Sequence, residues 1–176
     1  MQPSLTNIFL VGFMGSGKST VGALIARKLE WRFLDTDSMV EKSAGMPIAR
    51  MFETEGEATF RSAEAQEVAV ATTGKNTVVS LGGGALLDRD NRERVLRSGF
   101  VVFLEASVDT ILSRPGGTQR PLLRPQKGKT LRETVEALLT ARKYIFDQAH
   151  LKVVTDGKTP EAIMLEIIKG AESWKG

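Results

Sequence analysis

The chain has 176 residues, no cysteine and a single histidine, His150. Disulfides, thiolate metal sites and cysteine nucleophiles are excluded, and so is a histidine-rich metal centre. Any metal must be hard and oxygen-ligated. No apolar run approaches the roughly 20 residues of a membrane span, so no membrane partner is expected. The first apolar strand pattern starts at about Asn7, which leaves no room for a signal or transit peptide in the chain as it stands and makes the cytoplasm the expected location. Aromatic residues are scarce, at 6%. None lies between Arg114 and Lys143, where Arg114, Arg120, Arg124, Lys127, Lys129, Arg132, Arg142 and Lys143 face only Glu133 and Glu136. That stretch wants anions, but without a stacking series it is a poor single-strand nucleic-acid surface. No nucleic-acid partner is expected, and a flap over phosphates suits the basic stretch better.

What is present describes one water-soluble domain, residues 1–176, with 41% hydrophobic and 26% charged residues. A monomer is the working expectation. Short β-branched runs at Asn7–Gly12, Phe33–Asp35, Thr77–Leu81, Phe100–Leu104 and Leu151–Thr155 alternate with helical patterns. Ser38 with Glu41 and Thr130 with Glu133 read as capping boxes, and Thr159-Pro160 as an N-cap followed by proline in the first turn. Strands separated by helices imply a parallel sheet covered on both faces, an α/β fold of three layers with five strands. Pro115–Lys129 is rich in proline, glycine and basic residues and too long for a mere connection, so it reads as a lid.

Gly12-Phe13-Met14-Gly15-Ser16-Gly17-Lys18-Ser19 matches G-x-x-x-x-G-K-[ST] between a strand pattern and the helical pattern Thr20–Glu30. Glycines let the backbone fold so that successive N–H groups face phosphates. Gly12, Gly15, Ser16, Gly17, Lys18, Ser19 and Thr20 are therefore the expected ATP contacts, with Lys18 on the β- and γ-phosphates and Ser19 on Mg²⁺. Asp35 and Asp37 follow the second strand. Read as an extended pair pointing the same way, they suit one place near the metal and one near an acceptor hydroxyl; capping by Asp37 or Ser38 is the plain alternative. Arg61 falls on a helix, Gly82-Gly83-Gly84 ends the third strand where a substrate approaches closely, and Arg120-Pro121-Leu122-Leu123 puts an arginine in the presumed lid.

The spacing of GFMGSGKST, Asp35-Thr36-Asp37, Phe60-Arg61, Gly82-Gly83-Gly84, Arg120-Pro121-Leu122-Leu123 and Arg142 resembles shikimate kinases nearly end to end. The resemblance implies a P-loop fold like that of the nucleoside-monophosphate kinases, with a substrate region at about 35–62, a lid at about 115–129, and transfer of phosphate from ATP to the 3-hydroxyl of shikimate. By the same resemblance Lys18, Asp37 and Arg120 are catalytic, and Asp35 with Ser19 supports Mg²⁺. Arg61 and Arg142 clamp the substrate carboxylate, while Gly82, Gly83 and Gly84 contact the substrate by backbone. Arg114 stacks on adenine opposite the Thr155–Pro160 loop. Arginine at 61 and 142 suits a planar carboxylate, which takes two parallel N–H donors from each guanidinium. A GTPase would need Asn-Lys-x-Asp, and the nearest text, Gly74-Lys75-Asn76-Thr77, is not one. A gluconate or nucleotide kinase is the alternative within the class.

Overall fold

The computed structural model describes residues 6–114 and 128–175. Five parallel strands run β1 Asn7–Gly12, β2 Arg32–Asp35, β3 Thr77–Ser80, β4 Phe100–Glu105 and β5 Leu151–Val154, in the order β2-β3-β1-β4-β5. The helices are α1 Lys18–Leu29, α2 Thr36–Ala44, α3 Ile48–Thr54, α4 Glu57–Ala71, α5 Arg89–Ser98, α6 Val108–Ser113, α7 Leu131–Phe146 and α8 Pro160–Ser173.

The continuous apolar runs of the sequence have a simple cause: side chains alternate across a strand, and both faces of this sheet are covered. On one face Ile8, Leu10, Val102 and Leu104 pack with Val21 and Ile25 of α1 and Ile163 and Ile167 of α8. On the other, Phe9, Val11, Val101 and Phe103 pack with Val68 of α4, Val95 of α5 and Ile145 and Phe146 of α7. All strands point their carboxyl ends to one rim. Strand order reverses at β1, between β3 and β4, and such a switch point opens the crevice in which sheets of this kind bind ligands.

Thr130 and Glu133 form the expected reciprocal capping box of α7, and Thr159 caps α8 with Pro160 in its first turn. The Ser38–Glu41 box does not form. Asp35 ends β2 with extended backbone and already offers its Oδ1 to the Ser38 amide at 3.2 Å, so α2 starts at Thr36. Glu41 instead accepts from the Ile48 amide, 3.0 Å away, at the entry to α3. Asp37 is consequently in the first turn of α2 rather than in an extended pair with Asp35.

Candidate active site

The loop between β1 and α1 has positive φ at Gly12, Gly15 and Gly17. Gly17 is the N-cap of α1 and supplies no side-chain cap, so the first amides of the helix are left for an anion, which the helix dipole also favours. Lys18 is buried, its Nζ donating to the carbonyls of Gly12 at 2.9 Å and Phe13 at 3.1 Å. Ser16 Oγ is buried with no hydrogen-bond partner, a group that a bound phosphate oxygen would satisfy. Arg114, at the end of α6, donates from Nη1 to the Gly15 carbonyl at 2.6 Å. Thr20 lies on the exposed side of α1.

Ser19 Oγ donates to Asp35 Oδ2 at 2.6 Å and lies 3.4 Å from Ser80 Oγ. This oxygen set suits a hard divalent ion. Among the described residues no group of three or more His, Asp or Glu is placed to hold a metal. Ser80 escaped the sequence reading because a serine at a strand end carries no distinctive signal.

Beside this pair opens a cavity of about 350 Å³, bounded by the ends of β2 and β3 and by α2, α3 and the start of α4. Asp35, Asp37, Arg61, Glu64, Gly83 and Gly84 line its polar side, and Pro47, Ile48, Phe52 and Phe60 its apolar side. Asp37 is brought in by the first turn of α2, whose Thr36 hydroxyl accepts from the Gly82 amide at 2.9 Å. The glycine run makes room for the protein's own charged groups as well as for a ligand. A Cβ on Gly82 would lie 2.5 Å from Asp37 Oδ1 and 2.7 Å from Glu64 Oε1, and one on Gly84 would lie 2.6 Å from Arg61 Nη1.

Arg61 is paired with Glu64 at 2.8 Å and Glu57 at 3.2 Å. Glu64 was not anticipated: a glutamate three residues after a helical arginine reads as a surface ion pair, whereas here it is buried. Burial pushes its carboxyl above the ordinary value, against the opposing pull of Arg61. Arg142, near the end of α7, is also buried, donates to the Gly83 carbonyl at 2.9 Å and sits over the Phe13 ring. Burial first, and the charge of Arg61 second, lower its pKa. Two guanidiniums from different helices thus meet the glycine run, Arg61 beside Gly84 in the cavity wall and Arg142 on Gly83.

Arg120 and most of the expected lid, 115–127, lie outside the described residues. No helix among the described residues is long and apolar enough to cross a membrane.

A phosphate-binding loop at the switch point of a parallel sheet, with an acceptor cavity at its edge, defines a P-loop kinase of small molecules. The family model for shikimate kinase matches residues 14–172. The chain belongs to the shikimate kinase family. A shikimate kinase from Persephonella marina is 41% identical over 165 residues, covering 93% of this chain and 98% of its own. A shikimate kinase from Acinetobacter baumannii, solved in complex with shikimate, superposes with a TM-score of 0.89 at 33% identity, over 97% of this chain and 94% of that one. A gluconokinase from Sinorhizobium meliloti shares the fold alone, at 19% identity and a TM-score of 0.56 over 96% of this chain and 93% of that one.

Proposed function

We propose that the protein transfers the γ-phosphoryl group of ATP to the 3-hydroxyl of shikimate, giving shikimate 3-phosphate and ADP on the route to aromatic amino acids, within one catalytic domain. The observation that carries this reading is that Arg61, in the wall of a cavity adjoining Ser19 and Asp35, and Arg142, on the Gly83 carbonyl, meet at the glycine run. Arg61 is held by Glu57 and Glu64 and Arg142 by the Gly83 carbonyl, which uses only part of the five N–H donors of each guanidinium, and a carboxylate offers two parallel acceptors to such a fork. Gluconate also carries a carboxylate, and what sets shikimate above it is the shikimate kinase family match over residues 14–172 against 19% identity to the gluconokinase.

In this proposal the amides from Gly12 to Thr20, with Lys18, hold the β- and γ-phosphates, and Arg114 closes over the same loop. Mg²⁺, which Ser19 and Asp35 fit, neutralises charge on the phosphate oxygens when bound. Asp37 orients the 3-hydroxyl and accepts its proton as the oxygen attacks phosphorus and the bond to the bridging oxygen of ADP breaks. Arg61, Arg142 and the backbone of Gly82–Gly84 fix the acceptor ring, so that attack is in line. The role that the resemblance gives Arg120, on the transferring group, belongs to the same proposal, as does a monomeric enzyme working in the cytoplasm.

A coupled ADP-release assay with Mg-ATP over shikimate, gluconate and nucleoside monophosphates tests this. Turnover of shikimate alone is expected. Preferential turnover of gluconate or a nucleotide overturns it.

A further inference from the structure

Asp156, one residue past Thr155 at the carboxyl end of β5, spends its carboxylate on a different segment. It accepts from the Ser107 amide at 3.1 and 3.2 Å, from Ser107 Oγ at 3.1 Å and from Thr110 Oγ1. Ser107 is itself the N-cap of α6, accepting from the Thr110 amide. One carboxylate therefore grips the whole first turn of a six-residue helix, with its negative charge where that helix's dipole favours it. Thr155 anchors the other side of the grip through its amide and hydroxyl, both on the Glu105 carbonyl.

The far end of α6 is Arg114. At about 1.5 Å of rise per residue it lies only about 9 Å from the gripped turn. Between them Ile111 is buried against Phe13 and Met14 of the phosphate loop, and Arg114 Nη1 reaches the Gly15 carbonyl at 2.6 Å and passes 3.3 Å from where a Gly17 side chain would begin. A helix this short makes too few internal hydrogen bonds to hold its own direction. Its aim depends on what fixes its start, together with the packing of Ile111 and the Asp109–Arg132 pair to α7. The Thr110 hydroxyl first, then the Ser107 groups, and Arg114 least, hold the Asp156 carboxyl below its ordinary value.

We infer that Asp156 is a positioning residue for nucleotide binding, acting through α6 to keep the Arg114 guanidinium on the phosphate loop. This rests on the reading of Arg114 as a nucleotide contact. Asp156 lies on the nucleotide side of the rim, and none of its contacts reaches Asp37, Arg61 or Arg142 of the acceptor side, so loss of the brace weakens ATP binding and leaves acceptor binding alone.

The test is a double-mutant cycle with Asp156→Ala and Arg114→Ala, reading KM for ATP, KM for shikimate, kcat and ATP affinity by calorimetry. Each single variant is expected to raise KM for ATP by roughly tenfold to 150-fold, the size of one lost charged contact, with KM for shikimate within about twofold. Asp156→Asn, which keeps an oxygen for the Ser107 amide, should recover part of the loss. In the Arg114→Ala background Asp156→Ala should add less than about twofold, because the residue through which it acts is gone. Thr110→Val trims the same grip by one donor without touching the loop, and should raise KM for ATP by roughly twofold to fivefold. Full additivity of the two alanine variants overturns the inference, and so does an unchanged KM for ATP in Asp156→Ala or Thr110→Val while Arg114→Ala is impaired. If Arg114→Ala itself binds ATP normally, the reading of Arg114 fails, and the inference with it.

Discussion

Arg142→Met removes a guanidinium that is 4% exposed, held 2.9 Å from the Gly83 carbonyl and set 5.7 Å from the centroid of the Phe13 ring, while keeping most of the apolar stem. Two consequences follow with different magnitudes. In the free enzyme the variant loses one charge-assisted hydrogen bond, but also sheds a desolvated cation and its repulsion with Arg61. Those changes oppose each other, so stability should move by less than about 1 kcal/mol, or under about 4 °C in Tm for a chain of this length. In the complex the carboxylate loses one fork of its clamp, worth about 1.5–3 kcal/mol, which weakens shikimate binding by roughly tenfold to 150-fold. The assay compares KM and calorimetric Kd for shikimate and its methyl ester in wild type and variant, with melting curves alongside. The ester should be nearly indifferent to the substitution, and ATP affinity should hold. A variant that still prefers the acid by the wild-type margin refutes the clamp. So does a fall in Tm of about 10 °C or more, which would make Arg142 a structural brace.

Lys18→Ala and Ser19→Ala should each abolish phosphoryl transfer with unchanged circular dichroism, since both act on phosphate or metal; near-normal kcat in either contradicts the assignment. Gly82→Ala forces a Cβ within 2.5 Å of Asp37 Oδ1 and should lower kcat at least roughly tenfold by displacing the carboxylate that meets the acceptor hydroxyl, with near-wild-type kinetics counting against Asp37 in that role. His150 accepts the Val101 amide at Nδ1 and is held below its usual pKa by burial. The neutral ring is favoured in the fold, so its contribution to stability is full above the unfolded value of about 6.5 and is lost as pH falls from there through the folded pKa. As the chain's single histidine it can be titrated by NMR without ambiguity, and a midpoint at or above 6.5 refutes the argument.

The strands and the phosphate loop were legible because their signals are local. A run such as Ile8–Val11 is apolar at every position only if both faces are covered, and the glycines and Lys18-Ser19 sit between a strand and a helix. The strand order was not legible, because pairing β1 with β3 on one side and β4 on the other depends on contacts far apart in sequence. The start of α2 was misread at Ser38, since a serine three before a glutamate and an aspartate at a strand end are both good caps, and only the backbone at Asp35 decides between them. Asp37 reaches the cavity by a helical turn rather than by strand alternation, so the extended pair read from the sequence was the wrong geometry. Glu64 was missed, and Asp156 noticed only as part of the Thr155–Pro160 loop, for one reason: a charged residue earns notice in a sequence through its neighbours in the chain, and their partners' importance comes from burial or from a segment 46 to 49 residues away.

The wall of the acceptor cavity from Pro47 to Phe60 rests on a small cluster of its own, in which Val40, Met51 and Phe60 are buried and Met46, Ile48 and Phe52 partly so. That cluster shares no residue with the two cores that clamp the sheet. Exchanges at Met46, Ile48, Met51 and Phe52 reshape what the pocket admits while touching neither sheet core, whereas Glu57 and Phe60 share α4 with Arg61 and should be kept. The scaffold is therefore easy to retarget, and a library confined to those exchangeable positions is the place to look for new acceptor alcohols.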